Sequence, residues 1–219
     1  MCVNCGCSSC NTNSYVPDNT SALKYDGPKF VCSPDFTVLP GASLNDMLNT
    51  LMQQVCANSN SLDFEHYLGE EFGGGIIYHL WRDSFGVEHG LIVNKAEQTS
   101  TTWQAVGTLT NANRTEDGVY NTALMTLSDA ATYVNGLTDG GFTDWYLPSI
   151  DELSLLWHNR FHANTALRAG AFTLLSSTDT YWSSLEQDIT LAFTFSFYYG
   201  NANYTSKNGA NYVRAIRSF

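Results

Sequence analysis

The chain has 219 residues, 43% of them hydrophobic, enough to bury the core of one large domain with an appendage, which excludes a wholly disordered tail. Ten lysines and arginines against 21 aspartates and glutamates leave a net charge of −11 with no basic cluster, which excludes a binder of phosphate backbones. No stretch approaches the roughly 20 apolar residues of a membrane-crossing helix.

The N-terminus, MCVNCGCSSC, has neither a basic n-region nor an apolar h-region, so synthesis in the cytoplasm without a signal peptide is expected. The N-x-S/T triplets at Asn19, Asn113 and Asn203 are then chance matches. Cys2, Cys5, Cys7 and Cys10 fall in the first ten residues. Two C-x2-C pairs can wrap one tetrahedral zinc ion, although the single residue between them leaves little backbone to fold around it. The competing reading is a reduced arm packed against a neighbouring subunit, with no cofactor. Cys32 and Cys56 flank the first expected helix and read as small buried hydrophobes. Residues 11 to 24 are polar and without period, an extended linker that completes an N-terminal segment 1–24.

A second segment, 25–70, opens on the turn signal Asp26-Gly27-Pro28 and reaches Ser43, an N-cap with Asp46 three residues on. A helix is expected from there to about Val55, with Leu44, Leu48, Leu51 and Val55 as a seam and Met47 and Met52 broadening it. Such a stripe either packs on its own domain or joins copies of the chain. A homo-oligomer, most simply a trimer, is the expectation, because so short a segment offers the stripe no obvious partner.

Near the start of the third segment, 71–219, comes GGGIIYHLWRDSFGVEHGLIV, in which Ile76, Tyr78 and Leu80 alternate with Ile77, His79 and Trp81 before an Asp83–Gly86 turn: a β-hairpin. A polar loop at NANRTEDG precedes a helix capped by Ser128, carrying Ala131, Val134 and Leu137 and ended by Gly140-Gly141. In DWYLPSIDELSLLWHNRF, Ser149 and Glu152 make a capping box, and Leu153, Leu156 and Trp157 form a buried helix face. From Tyr181 on the chain reads as strands, the last an alternating NYVRAIRSF. Strands with two helices in this order predict an α+β domain.

Ahead of that last strand, Tyr198, Tyr199, Asn201, Asn203, Tyr204, Asn208, Asn211 and Tyr212 are poor core material. Tyr and Asn are what adaptable binding surfaces use, and Asn is also a common turn former.

Three ordered motifs carry a resemblance. Trp145, Leu147, Pro148, Glu152 and Leu153 fit W-x-L-P-x-x-x-E-L, Trp182-Ser183-Ser184 fits W-S-S, and Val213, Arg214 and Arg217 fit V-R-x-x-R. From about Gly73 to Phe219 the chain resembles a C-type-lectin-like domain family of bacteria and phages, related to formylglycine-generating enzymes and phage tropism determinants. The stretch YDGPKF…SLNDML resembles N-terminal segments of structural proteins from crAss-like gut phages. The resemblance implies a C-type-lectin-like fold with a twisted, mostly antiparallel sheet, and an exposed ligand-binding face between the W-S-S strand and the closing V-R strand. It implies a virion protein, a fibre or decoration subunit held by other virion proteins through its N-terminal region and attaching to a host-surface glycan or protein. The alternative is a bacterial adhesin or sugar-recognition module, binding without calcium because the Glu-Pro-Asn and Gln-Pro-Asp triplets are missing. Oxygen-dependent relatives use cysteines in the C-terminal half, and none follows Cys56. His158 and His162, four apart near Asp151 and Glu152, could share a helix face as metal ligands, but Glu152 is better read as a capping carboxylate and His158 as a helix C-terminal residue. No G-x-S-x-G elbow, P-loop or dinucleotide fingerprint is present, so no enzyme is expected.

Overall fold

The computed structural model describes residues 30–33, 36–38, 41–60, 64–105 and 107–219. The chain divides into two units, Met1–Phe64 and Glu65–Phe219. Cys2, Cys5, Cys7 and Cys10 lie outside the described residues.

In the first unit, β1 (Phe30–Ser33) pairs antiparallel with β2 (Phe36–Val38), and α1 spans Leu44–Asn60. The predicted cap is present: Asp46 N–H donates to Ser43 Oγ at 3.1 Å, and Ser43 N–H donates to Asp46 Oδ2 at 3.1 Å. These bonds satisfy two donors that a helix start otherwise leaves orphaned. The helix runs past Val55, so Cys56 sits inside it rather than flanking it. Along the stripe Leu44 and Met47 are half-buried, while Leu48, Leu51 and Met52 are 44%, 47% and 50% exposed. The side chain of Val55 lies outside the described residues.

The second unit is α+β. One sheet has the order β11 (Ile216–Ser218), β5 (Glu88–Val93), β4 (Gly75–Arg82), β3 (Glu71–Phe72) and is antiparallel throughout; the other has the order β6 (Gln98–Thr101), β10 (Asn211–Val213), β7 (Thr180–Glu186), β8 (Leu191–Ser196), β9 (Asn201–Ser206), with β10 and β7 parallel. The predicted hairpin is β4 (Gly75–Arg82) with β5 (Glu88–Val93). Its turn is tied by Asp83 Oδ1, which accepts the N–H groups of Phe85 and Val87 at 2.9 Å. Both faces of this hairpin are covered. Ile76, Tyr78, Leu91 and Val93 pack with α4 (Ile150–His158) and α5 (Arg160–Ala169), while Ile77 and Ile92 join Trp103, Trp145, Trp182 and the buried side of α3 (Asp129–Asn135). A strand buried on both faces reads as a continuous apolar run, as GIIY does.

The expectation of two helices in this domain is corrected to four. α2 (Gly118–Leu124) follows the polar loop and is capped by Asp117, whose Oδ1 accepts Tyr120 N–H at 2.9 Å. α5 buries only Ala163 and Leu167, too sparse a stripe to read as a helix from spacing. α3 has the predicted Ser128 cap but stops at Gly136, with Leu137 beyond it; Gly140 and Gly141, at φ 66° and 82°, shape a separate turn.

The last strand is also corrected. NYVRAIRSF is two strands in two sheets, β10 (Asn211–Val213) and β11 (Ile216–Ser218), and the chain crosses between them at Arg214 and Ala215. Arg214 is fully buried there, with Nε donating to Asn94 O and a terminal nitrogen to Thr173 O, each at 2.8 Å. Burial disfavours its charged form, and Glu97, 3.6 Å away, opposes that effect. Arg217 closes the other end with a bidentate pair to Asp144, both bonds 2.8 Å.

Candidate binding face

β7 (Thr180–Glu186), β8 (Leu191–Ser196) and β9 (Asn201–Ser206) are consecutive in the sheet, with β9 at its edge. The register pairs Thr194 with Asn203 and Ser196 with Asn201 on one face, and Phe193 with Tyr204 and Phe195 with Ala202 on the other. Period two therefore divides the Tyr/Asn stretch. The apolar side rests on α4, and its Phe193 and Tyr204 rings meet edge-to-face at 6.1 Å. The polar side, with Thr180 and Asn211 from β7 and β10, lines a groove of about 590 Å³. Hydroxyls and carboxamides without a formal charge make up its lining, groups that donate and accept in either direction.

Tyr199 closes one end of the groove from the β8–β9 turn, Phe197–Gly200. Trp157 at the end of α4 fixes this turn: its indole N–H donates to Phe197 O at 3.1 Å, and Gly200, at φ 70°, lies against its ring. A Cβ on Gly200 would fall 2.3 Å from Trp157 Cζ2. Arg160 holds the tryptophan in turn, its guanidinium 4.0 Å over the ring and its N–H donating to Trp157 O at 2.6 Å. On this base Tyr198 and Tyr199 stand 64% and 76% exposed, their rings perpendicular at 4.7 Å. Order in the turn spares a ligand the entropy of fixing two aromatic side chains.

The far end of β9 is tied down by Lys207, which is buried and paired with Glu186. Lys207 also donates to Thr108 O at 3.1 Å, while the Glu186 carboxylate accepts the N–H groups of Thr110 and Asn111 at 2.9 Å. Every partner of this buried pair is in place, the condition under which a buried ion pair is tolerated.

Of the residues singled out from sequence, Tyr198, Tyr199, Asn201, Asn203, Tyr204 and Asn208 are exposed, and Asn211 and Tyr212 are half-buried. They do not form one surface. Tyr199, Asn201, Asn203, Tyr204 and Asn211 border the groove, Tyr204 while its ring also meets Phe193; Asn208 sits in the β9–β10 turn, where its side chain accepts Ser206 Oγ–H at 2.7 Å. Tyr212 packs edge-to-face on Tyr181 at 5.8 Å, and the Asp179 carboxylate raises its hydroxyl pKa. Trp145, Leu153, Trp182 and Val213 are buried in the core, with Phe193 half-buried. Thr194, Ser196 and Thr180 escaped the sequence reading. For Thr194 and Ser196 the signal was present in TLAFTFSF, where they alternate with Phe193, Phe195 and Phe197.

The histidine pair is corrected. α4 ends at His158 and α5 begins at Arg160, so His158 and His162 share no helix face, and His158 Nδ1 is taken by Ser154 O at 2.7 Å. Among the described residues no three His, Cys, Asp or Glu side chains are grouped to hold a metal ion. Glu152 serves as the cap: Ser149 N–H donates to it at 2.7 Å and Tyr146 O–H at 2.8 Å, while burial raises its pKa.

The sequence model described as the Lcl C-terminal domain matches residues 92–217, from β5 to β11. No curated protein matches the chain. Among solved structures, a fimbrial protein from Bacteroides ovatus ATCC 8483 is similar at 17% identity and a TM-score of 0.48, over 58% of this chain and 35% of that one. This chain thus spans about a third of the fimbrial protein's length.

Proposed function

The chain belongs to the Lcl C-terminal domain family, and we propose that it is a surface-attachment protein that binds rather than catalyses. The ligand-contacting surface is the polar face of β8 and β9 with the tyrosine pair at its tip. One observation carries this reading: an uncharged groove of Thr, Ser and Asn side chains opens beside two exposed tyrosines whose turn is locked onto Trp157. Rigid aromatic area beside two-way hydrogen-bonding groups suits a glycan or a polar protein surface. With a net charge of −11, polyanionic ligands are disfavoured. The reading assigns no catalytic residue and no cofactor.

The finer proposal is that the second unit is C-type-lectin-like and that its bearer is a phage virion subunit. Supporting the first part, the three sequence motifs hold structural positions. Trp145 and Trp182 are core, Ser149 and Glu152 cap α4, and Arg214 and Arg217 anchor the crossing between the sheets. Supporting the second part is the phage-like N-terminal stretch YDGPKF…SLNDML. Assembly into a homo-oligomer, most simply a trimer, is the reading that the exposed Leu48, Leu51 and Met52 of α1 support.

Labelled full-length protein applied to a panel of gut bacterial cells tests the attachment role. Saturable binding to a subset of strains is expected, removed by periodate for a glycan receptor or by protease for a protein receptor. Uniform or absent binding across the panel contradicts it.

A further inference from the structure

A second concavity, of about 340 Å³, shares no lining residue with the groove. It lies where α4 and the loop before α2 lean on the β4–β5 hairpin. Its wall is apolar and aromatic: His79, Trp81 and Leu91 from the hairpin face Val119 and Leu155. The wall is ordered by stacking, with the Trp81 indole 5.7 Å from the His79 ring and 5.4 Å from that of His89. Burial disfavours protonation of His79. At its floor Tyr146 O–H donates to Glu152.

The rim is acidic. Asp151 N–H donates to Thr115 O at 3.0 Å, and this bond brings the start of α4 to the loop carrying Glu116 and Asp117. Asp117 is occupied by Arg114 at 2.6 Å and by the cap of α2. Asp151, by contrast, has no side-chain partner among the described residues, and Glu116 accepts only from Thr115 Oγ1 at 3.2 Å. No lysine or arginine lines the concavity. An apolar shaft thus ends at uncompensated carboxylates.

We propose that this concavity binds a small alkylamine, a primary ammonium group carried on a free aliphatic chain. The stem lies along Leu91, Val119 and Leu155, and the ammonium group meets Asp151 and Glu116 at the rim. A neutral hydroxyl compound would fill the same shaft but leave both carboxylates without a partner. An anion meets repulsion at the rim. This site stands independently of the attachment role assigned to the groove.

The probe is n-butylammonium chloride, titrated into the full-length protein at constant ionic strength and followed by the indole N–H resonance of Trp81. n-Butanol is the neutral control and n-butylguanidinium the second cation. A saturable shift with butylammonium is expected, weakened at least about fivefold for butanol and for the Asp151→Asn, Glu116→Gln double variant. Stronger binding of butylguanidinium than of butylammonium would replace the ammonium assignment with a guanidinium and overturn the proposal as stated. Equal shifts with butanol would reduce the concavity to an apolar cleft, and undiminished binding by the double variant would remove the carboxylates from the site. A linear, unsaturable response would leave no site.

Discussion

Gly200 has room for a hydrogen and nothing larger, because the Trp157 ring occupies the space a Cβ would take and the backbone is in the left-handed region. Gly200→Ala must therefore push the turn off α4. A loss of about 1–3 kcal/mol in urea unfolding is expected, together with weaker attachment, since the tyrosine pair loses its base. Asp144 offers a residue-scale test by pH. The paired hydrogen bonds from Arg217 hold its carboxyl below the ordinary carboxylate range. A depressed folded pKa contributes stability above the unfolded value of about 3.9 and loses it as pH falls through the folded value. Melting temperatures measured from pH 6 down to pH 2 should fall less steeply for Asp144→Asn than for the parent chain. Parallel curves would mean that the pair does not persist in solution.

At the scale of elements, what was legible followed local chemistry. The β4–β5 hairpin was readable because Asp83 and Gly86 supply a turn between two apolar runs, and α4 because Pro148, Ser149 and Glu152 mark its start. α2 and α5 were not, since α2 buries Gly118, Asn121 and Thr122 rather than large apolar side chains, and α5 only Ala163 and Leu167. The break between β10 and β11 was hidden for a different reason. Its cause is the pairing of Arg214 with Asn94 O and Thr173 O, partners far away in sequence that no local pattern announces. α1 makes the element-scale prediction. Its cap and stripe were legible, and Leu48 and Leu51 stay exposed. Analytical ultracentrifugation should find an oligomer of the parent chain and a lighter species for Leu48→Asp, Leu51→Asp. A parent monomer at micromolar concentration would remove the assembly role.

Across the whole molecule, the Tyr/Asn stretch stood out in composition while its division between two faces depended on the β8–β9 register. Sequence marked Tyr204 and Tyr212 alike, yet Tyr204 packs on Phe193 at the groove's border while half-buried Tyr212 packs on Tyr181. Thr194 on the groove floor alternates with phenylalanines in the sequence, but alternation alone marks a strand face and becomes a groove only once the β8–β9 pairing sets its neighbours. A functional surface and a structural one therefore predict different responses to truncation. Trp182→Ala, deep in the core, should cost about 3–5 kcal/mol and threaten folding. Exposed Tyr199 and Asn203 should alter stability by only about 0.5 kcal/mol each.

The most direct test of the attachment face is the dissociation constant of the Tyr199→Ala, Asn203→Ala double variant on a bacterial strain that binds the parent chain, measured beside its melting temperature. A rise in the constant of at least about tenfold with melting nearly unchanged is the expected result. Unaltered affinity in a normally folded variant would place the receptor surface elsewhere and contradict the assignment.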